Sequence, residues 1–415
     1  MTLLRTRLPH WLITLVAAFS LVACGGGGGG GTSGGSTPVT TSAIPAGAAV
    51  SSNVAAAPNV LPMVVDRGVN GNAINSPYVT VTVCRPGSQV CQDIDHVLVD
   101  TGSTGLRLTA AVAASLALPA VTTGAGETFG ECAHFASGFT WGAVRRADIR
   151  LASLTASNAP VQVIGDADVP TVPSSCSGTG GSLQASGAAK GILGVGLFKQ
   201  DCGVACELST SPQIYFSCTT GGCVSSRIPM ASQVTNPVSL LATDNNGVVL
   251  VLPAVPQGGV VSATGALILG IGTESNNQLG GATMFTTDTN GYFKTVYNGT
   301  TYSRSFLDSG SNGLFFHDTT LKACASSTDF FCPAGPLPLT ATQVSASGVS
   351  RDVAFTIESV DPLASAVAAA SIGGDAGEGL PQAFDWGLPF FYGRTVFTAI
   401  TGASTPAGPG PYWAW

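Results

Sequence analysis

Short apolar segments, separated by glycine, proline and small polar residues, run along most of the chain. Apolar and polar residues alternate in segments such as 78–83 and 161–164, which is typical of half-buried strands. A helical spacing of apolar residues is found mainly in 109–118 and 362–370. The 54 glycines and 25 prolines supply turns between the segments. The pattern therefore predicts an all-β protein with a few short helices.

The beginning of the chain has the features of a bacterial lipoprotein signal peptide. A short basic start precedes an apolar stretch over residues 11–21, and small residues then lead to Cys24. A membrane-spanning helix needs about 20 apolar residues, roughly twice this length. We therefore expect residues 1–23 to be a signal peptide and Cys24 to carry the lipid. Because Gly25 rather than aspartate follows the cysteine, we expect a lipid-anchored protein of the bacterial cell envelope, in the outer membrane.

Composition divides the rest of the chain into a tether and a folded body. Residues 24–59 are rich in glycine, serine, threonine and alanine and carry no charged side chain, which predicts a flexible tether. Turn-forming residues divide the body into an amino-terminal lobe over 60–238 and a carboxy-terminal lobe over 239–415. With a net charge of −7 and 9% charged residues, the chain is not expected to bind nucleic acid.

Ten of the eleven cysteines lie in the body, an even number in a chain expected to enter an oxidising compartment, which predicts five disulfides. Spacing pairs Cys84 with Cys91 and Cys324 with Cys332. Four others can pair with one another in more than one way: Cys202, Cys206, Cys218 and Cys223. This leaves Cys132 to pair with Cys176. A metal site is the alternative for the four, but no histidine lies near them in the sequence, so no metal is expected.

One short acidic phrase occurs twice, beginning at Asp100 and at Asp308, and each copy follows an apolar run. Each carboxylate is thus expected where a buried strand turns sharply. Two aspartates held side by side share one proton, because like charges a few ångströms apart cannot both stay ionised without a large penalty. The ionised partner can then deprotonate a water molecule while the protonated partner donates to a substrate carbonyl.

The residues that follow each aspartate have parts to play in such a pair. The first is a hydroxyl residue that braces one turn against the other. The second is a glycine that permits a tight turn and close approach of backbone N–H groups. The third is a serine that can hydrogen-bond the outer carboxylate oxygen. In chain order these residues are Thr101, Gly102 and Ser103 in the first turn, and Ser309, Gly310 and Ser311 in the second.

Beyond the two turns, the sequence resembles the pepsin-like aspartic peptidases over most of residues 75–400. In that family an apolar-apolar-Gly segment crosses behind each catalytic loop, and residues 191–198 match the first such segment. Residues 386–391 match the second more weakly, since Asp385 stands where an apolar residue is expected. Residues 266–272 resemble the opening of the family's second lobe. The resemblance implies a bilobal double β-barrel with the active site in a cleft between the lobes.

The sequence departs from the family at the hairpin flap that covers the substrate. The alignment places Phe135 where the family carries a tyrosine, so the ring is kept and the hydroxyl is lost. The usual tryptophan after the first aspartate turn is replaced by Arg107. The hydrogen bond that normally steadies the flap therefore has no obvious donor or acceptor, although Trp141 can substitute sterically.

These observations predict an envelope-anchored aspartic endopeptidase in which Asp100 and Asp308 are catalytic. One chain supplies both aspartates, so a monomer is expected, acting on peptide or protein substrates without metal or cofactor. Contact with the membrane is expected only through the lipid on Cys24. The alternative is a catalytically inactive binding lipoprotein that holds an envelope ligand in the cleft. A glycosidase would need carboxylates about 5 Å or more apart, which the duplicated turns disfavour.

Overall fold

Strands make up most of the regular structure. The computed structural model describes residues 48–178, 181–182, 187–377, 380 and 382–415. The strands are, in chain order, β1 Ala49–Ser51, β2 Val60–Val65, β3 Pro77–Cys84, β4 Cys91–Asp100, β5 Thr104–Thr109, β6 Thr128–Phe135, β7 Gly138–Leu151, β8 Leu154–Ile164, β9 Gly181–Ser182, β10 Gly191–Val195, β11 Tyr215–Thr219, β12 Gly222–Ser225, β13 Gly247–Val251, β14 Ser262–Leu269, β15 Met284–Thr286, β16 Phe293–Tyr297, β17 Thr300–Asp308, β18 Leu314–Phe316, β19 Leu337–Val344, β20 Ser350–Ile357, β21 Gly373–Gly374, β22 Ala383–Gly387, β23 Thr395–Ala399, β24 Ser404–Thr405, β25 Gly408–Pro409 and β26 Tyr412–Ala414. The predicted all-β fold class is confirmed.

Helices in the described part of the chain are short. The α-helices are α1 Ala110–Ala113, α2 Ser174–Ser177, α3 Val204–Leu208 and α4 Leu388–Phe391, and further 3₁₀ turns lie at Ala114–Leu116, Met230–Ser232, Pro237–Leu240 and Pro362–Ser365. The helix predicted over 109–118 is present as α1 and the 3₁₀ turn that follows it. The prediction of a helix over 362–370 was wrong beyond the 3₁₀ turn Pro362–Ser365, because Ala368 forms a β-bridge with Val260 instead. No helix among these residues is long and apolar enough to span a membrane.

The same three-strand unit occurs in each half of the chain. In the first half, β10 pairs in parallel with β4 and antiparallel with β5. In the second half, β22 pairs in parallel with β17 and antiparallel with β18. The registers correspond, since Gly194 lies opposite Asp100 and Gly387 lies opposite Asp308. Each aspartate is the last residue of its strand, so the repeated unit presents both carboxyl groups in the same way.

Strands from the beginning of the chain pair with a strand of the second half. β2 pairs antiparallel with β14 and also with β3, so it joins the two halves. β1 pairs in parallel with β14, with Ala49 opposite Ser262. The tether predicted over 24–59 therefore needs correction at its end, where backbone hydrogen bonding to β14 fixes residues 49–51. The predicted signal peptide and Cys24 lie outside the described residues.

The cores of both halves form from inward-facing residues of the strands. In the first half, aliphatic residues at alternating positions of strands such as β3 and β4 are fully buried. In the second half the core is aromatic: Phe384 stacks on Phe316 at 4.7 Å and on Trp386 at 4.4 Å between ring centroids. Both cores lie behind the strands that end in the aspartates, so packing holds those strand ends in place.

The ten cysteines of the described residues form five disulfides, as predicted. They join Cys84 to Cys91, Cys132 to Cys176, Cys202 to Cys206, Cys218 to Cys223, and Cys324 to Cys332. Four of them close loops of eight residues or fewer between neighbouring cysteines in the sequence. The structure resolves the pairing of the four central cysteines into two local bridges.

Candidate active site

Reciprocal hydrogen bonds join the two aspartate turns. The Thr101 hydroxyl donates to the Leu307 carbonyl at 3.0 Å and accepts from the Ser309 N–H at 3.0 Å. The Ser309 hydroxyl donates to the Val99 carbonyl at 2.7 Å and accepts from the Thr101 N–H at 3.1 Å. Both side chains are fully buried, so these four bonds are shielded from water. The predicted bracing of one turn against the other is thus present as a symmetric set of bonds.

The first turn surrounds the Asp100 carboxyl group with donors. The N–H groups of Gly102 and Ser103 donate to Oδ1 at 2.8 and 3.0 Å. The Ser103 hydroxyl donates to Oδ2 at 2.6 Å. Asp100 is 5% exposed. Three donors therefore converge on the Asp100 carboxyl group and fix its orientation.

The second turn holds Asp308 with one donor fewer. The Gly310 N–H donates to Oδ1 and the Ser311 hydroxyl donates to Oδ2, both at 2.8 Å. The Ser311 N–H bonds the Asp308 main-chain carbonyl instead of the carboxyl group. The two turns are therefore equivalent in backbone path but not in the number of hydrogen bonds to the carboxyl group.

The two carboxyl groups face each other across the glycines of the turns. A Cβ atom at Gly102 would lie 2.7 Å from the Asp308 Cγ, and a Cβ atom at Gly310 would lie 2.9 Å from the Asp100 Cγ. Real Cβ atoms do not approach other atoms so closely, and both glycines have ordinary φ angles. Glycine is therefore required here for space, since any side chain would push the opposite carboxyl group away.

The pairing of the carboxyl groups shifts their titration. Burial, together with the neighbouring Asp100 charge, raises the pKa of Asp308 to about 8. Hydrogen bonds from Ser311 and Gly310 oppose the shift but do not cancel it. Below that pH Asp308 holds a proton beside Asp100. A neutral acid next to a second carboxyl group that accepts three hydrogen bonds is an arrangement suited to general acid–base chemistry.

Phe135 lies at the tip of the hairpin formed by β6 and β7, where it pairs with Gly138. Its ring is half-buried and stands 5.7 Å from the Arg107 guanidinium carbon, within range of a cation–π contact. The hairpin tip predicted from the alignment is thus present, with the ring of Phe135 resting on Arg107.

Arg107 anchors a buried charged network beneath this hairpin. Its guanidinium donates to Glu131 on β6 at 2.6 Å and to Asp201 at 3.3 Å, and the three side chains are 2%, 0% and 8% exposed. The Tyr215 hydroxyl donates to the other Asp201 oxygen at 2.6 Å. Burial and the Glu131 charge raise the pKa of Asp201 well above its usual value. Arg107 thus gives the hairpin a polar partner through Glu131 on β6, four residues before Phe135.

Glu131 and Asp201 were not predicted as site residues, although the sequence contains an indication that Arg107 needs a buried carboxylate partner. An arginine within the apolar run of β5 cannot remain buried without a carboxylate partner.

Trp141 contributes differently, since its indole N–H donates to the Val169 carbonyl at 2.7 Å and its ring packs against Phe216. Trp141 belongs to the core behind the hairpin.

Asp385 is a third acidic side chain close to the pair. It lies on β22, opposite Phe306 of β17, and is 5% exposed. Burial, followed by the charge of Asp308, raises the pKa of Asp385 well above its usual value, and Ser311 lowers it in part. The sequence marked this position as a departure from an apolar pattern, and the structure places the carboxyl group beside the candidate site.

Two cavities lined by described residues include neither Asp100 nor Asp308 in their lining. One of about 410 Å³ lies within the second half and is lined by residues such as Trp386 and Phe390. The other, of about 860 Å³, is polar and lies between residues of both halves, including Asp201 and Arg304. The paired carboxyl groups lie outside both cavities, at turns where Gly102 is exposed.

Within the described residues, two groups of side chains have metal-ligating atoms close together: Cys132, His134 and Cys176, and Cys324, Cys332 and Asp361. In each group both cysteines form a disulfide with each other. Their sulfur atoms are therefore not thiolates, the form in which cysteine binds metals. The four central cysteines, considered above as metal ligands, are disulfide-bonded as well.

A family model described as "Protein of unknown function (DUF3443)" matches residues 55–415. No curated protein matches the chain in sequence. Among solved structures, the chain is similar to the crystal structure of an aspartic proteinase from Irpex lacteus, with 17% sequence identity and a TM-score of 0.48. The similarity covers 86% of this chain and 96% of that chain.

Proposed function

We propose that this chain, which belongs to the family of unknown function DUF3443, is an aspartic endopeptidase that hydrolyses peptide bonds with a water molecule activated between Asp100 and Asp308. The observation that carries the proposal is the pairing of the two turns. Reciprocal hydrogen bonds between Thr101 and Ser309 place both carboxyl groups side by side. Each glycine leaves room only for the opposite carboxyl group.

The proposed reaction uses the unequal protonation of the pair. Asp100 takes a proton from water, and the water oxygen bonds the peptide carbonyl carbon. Asp308, protonated below about pH 8, gives its proton to the carbonyl oxygen. The tetrahedral intermediate then breaks at the C–N bond: the proton on Asp100 passes to the leaving nitrogen, and one hydroxyl group of the intermediate returns a proton to Asp308 as the carboxylic acid product forms. Both aspartates therefore end in the protonation states in which they began.

The proposal extends to substrate and location. Both carboxyl groups come from one chain, which supports a monomeric enzyme acting on extended peptides or proteins. The apolar stretch and small residues before Cys24 support a lipid anchor in the bacterial cell envelope, with the outer membrane favoured by Gly25. No metal or organic cofactor has a part in the proposed reaction, so chelators should leave the activity unchanged.

The test is cleavage of a mixed peptide library by the purified full chain, scanned from about pH 3 to about pH 8. Asp308→Asn removes one member of the pair, and Asp352→Asn, at an exposed position, is the matched control. We expect cleavage by the wild type and the control and none by Asp308→Asn. Pepstatin inhibition would support the same conclusion.

The contrary result would be a folded wild type that cleaves nothing at any pH, or an Asp308→Asn variant with normal turnover. The first outcome would favour the alternative of a catalytically inactive lipoprotein that binds peptide or another envelope ligand. The second would show that hydrolysis comes from groups other than the paired aspartates.

A further inference from the structure

The two three-strand units differ chemically at one corresponding position. Ile192 of β10 lies opposite Leu98, two residues before the Gly194–Asp100 pair. At the corresponding place in the second unit, Asp385 of β22 lies opposite Phe306, two residues before the pair of Gly387 and Asp308. An apolar side chain in one half is thus replaced by a carboxyl group in the other. The otherwise equivalent backbones make this a difference in side-chain chemistry rather than in fold.

Asp385 lies on the face of its sheet that carries Asp308. Side chains alternate along a strand, so Phe384 and Trp386 point into the aromatic core while Asp385 points to the opposite face. Its neighbours across β17 and β18 are Phe306 and Phe315. Among the described residues, its Oδ1 atom is buried without a hydrogen-bond partner. An ionised carboxylate so placed would be strongly disfavoured.

In the described part of the chain, the polar groups that act on the Asp385 carboxyl group come from the two aspartate turns. From the second aspartate turn these are the Ser311 hydroxyl and Asp308, and from the first turn Asp100. Arg304 lies further along the same face of β17 but is exposed to solvent. The two aspartates act against ionisation of Asp385, and Ser311 acts in its favour. No cation among these groups compensates a charge on Asp385.

We propose that Asp385 holds a proton at neutral pH and acts as a positioning residue that fixes the Ser311 hydroxyl as a donor to Asp308. The protonated carboxyl group can donate to the Ser311 oxygen, which leaves the Ser311 hydrogen for Asp308 Oδ2 at 2.8 Å. An ionised Asp385 would instead compete for that hydrogen and would disfavour the charge that Asp308 gains when it gives up its proton. The consequence for catalysis rests on the proposed function, whereas the protonation of Asp385 does not.

Protonation is tested directly by NMR titration of the full chain labelled with ¹³C at aspartate carboxyl carbons. The carboxyl signal that is missing from the spectrum of the Asp385→Asn variant is assigned to Asp385. We expect this signal to keep the chemical shift of a protonated carboxyl group at pH 7, well above the ordinary aspartate pKa of about 3.9. A signal that titrates near the ordinary value would overturn the proposal. This measurement needs no enzymatic activity, so it decides the matter even if the chain cleaves no peptide.

The positioning role is tested by the alkaline limb of the kcat/KM profile, where loss of the Asp308 proton ends activity. Asp385→Asn keeps an N–H donor for Ser311 and should keep the wild-type limb. Asp385→Ile introduces the side chain found at Ile192 and removes the donor to Ser311. The hydrogen bond from Ser311 to Asp308 should then weaken, which raises the pKa of Asp308 and moves the alkaline limb to higher pH by about 0.5 unit. Equal shifts in both variants, or none in either, would overturn the role. If the wild type itself is inactive, it is the proposed function that fails, and the NMR titration remains the test of Asp385.

Discussion

Replacing Thr101 by valine tests how strongly the two halves are joined at the candidate site. Valine keeps the shape of threonine and removes one hydroxyl group. Two hydrogen bonds are lost, from the Ser309 N–H and to the Leu307 carbonyl, each 3.0 Å long. Both groups stay buried, and each buried polar group without a partner costs about 1–3 kcal/mol. We therefore expect the free energy of unfolding to fall by about 2–4 kcal/mol.

The assay is urea unfolding of the oxidised full chain, followed by intrinsic fluorescence, with the slope against urea compared between variants. Thr398→Val is the matched control, because Thr398 is fully buried and its hydroxyl has no hydrogen-bond partner among the described residues. Removing that hydroxyl should leave stability unchanged or raise it by about 1 kcal/mol. Identical losses in the two variants would refute the reasoning, since the bonds between the turns would then contribute nothing specific.

Three further predictions concern the same region. Gly102→Ala should reduce kcat at least about 100-fold, because the alanine Cβ would lie 2.7 Å from the Asp308 Cγ and misplace that carboxyl group. A kcat equal to that of the wild type would contradict this. The pKa of Asp308 is raised to about 8 in the folded state, so the folded chain binds this proton more tightly than the unfolded chain does. The proton therefore contributes fully to the free energy of unfolding below about pH 4, and this contribution is lost as the pH rises to about 8. Asp308→Asn should remove that decline in thermal unfolding curves, and an unchanged slope would count against the shifted pKa. Arg107→Met should cost about 3–5 kcal/mol in urea unfolding because Glu131 is left buried and unpaired, and adding Glu131→Gln should restore part of the loss; additive losses would exclude the ion pair as the cause.

The parts of this structure that depend on local sequence were predictable. The two aspartate turns follow from an apolar run, an acidic residue and a glycine at fixed spacing. The bridges from Cys84 to Cys91 and from Cys324 to Cys332 follow from short separations. In these cases the interacting groups are close in the sequence, so the pattern contains the information.

The parts that depend on distant pairing were not predictable. Arg107 bonds Glu131 because β5 pairs with β8, β8 with β7 and β7 with β6, an order that no spacing in the sequence reveals. Asp385 was recognised as unusual, but its approach to Asp308 follows from the register of β17 and β22. Residues 49–51 resemble the rest of a flexible tether in composition and become a strand only because β14 offers them backbone partners.

The position of β2 has a consequence for biosynthesis. Its hydrogen-bonding partner on one side is β14, and the Asn59 side chain next to it bonds the carbonyl of Leu269, 210 residues later. At about 5–20 residues per second, a ribosome needs about 10–40 seconds to make the intervening chain. During that interval one edge of β2 has no partner, and an unpaired strand edge can join other chains. The free edge of β2 therefore needs protection until the second half of the chain is made, and β2 cannot be paired on both sides before β14 is synthesised.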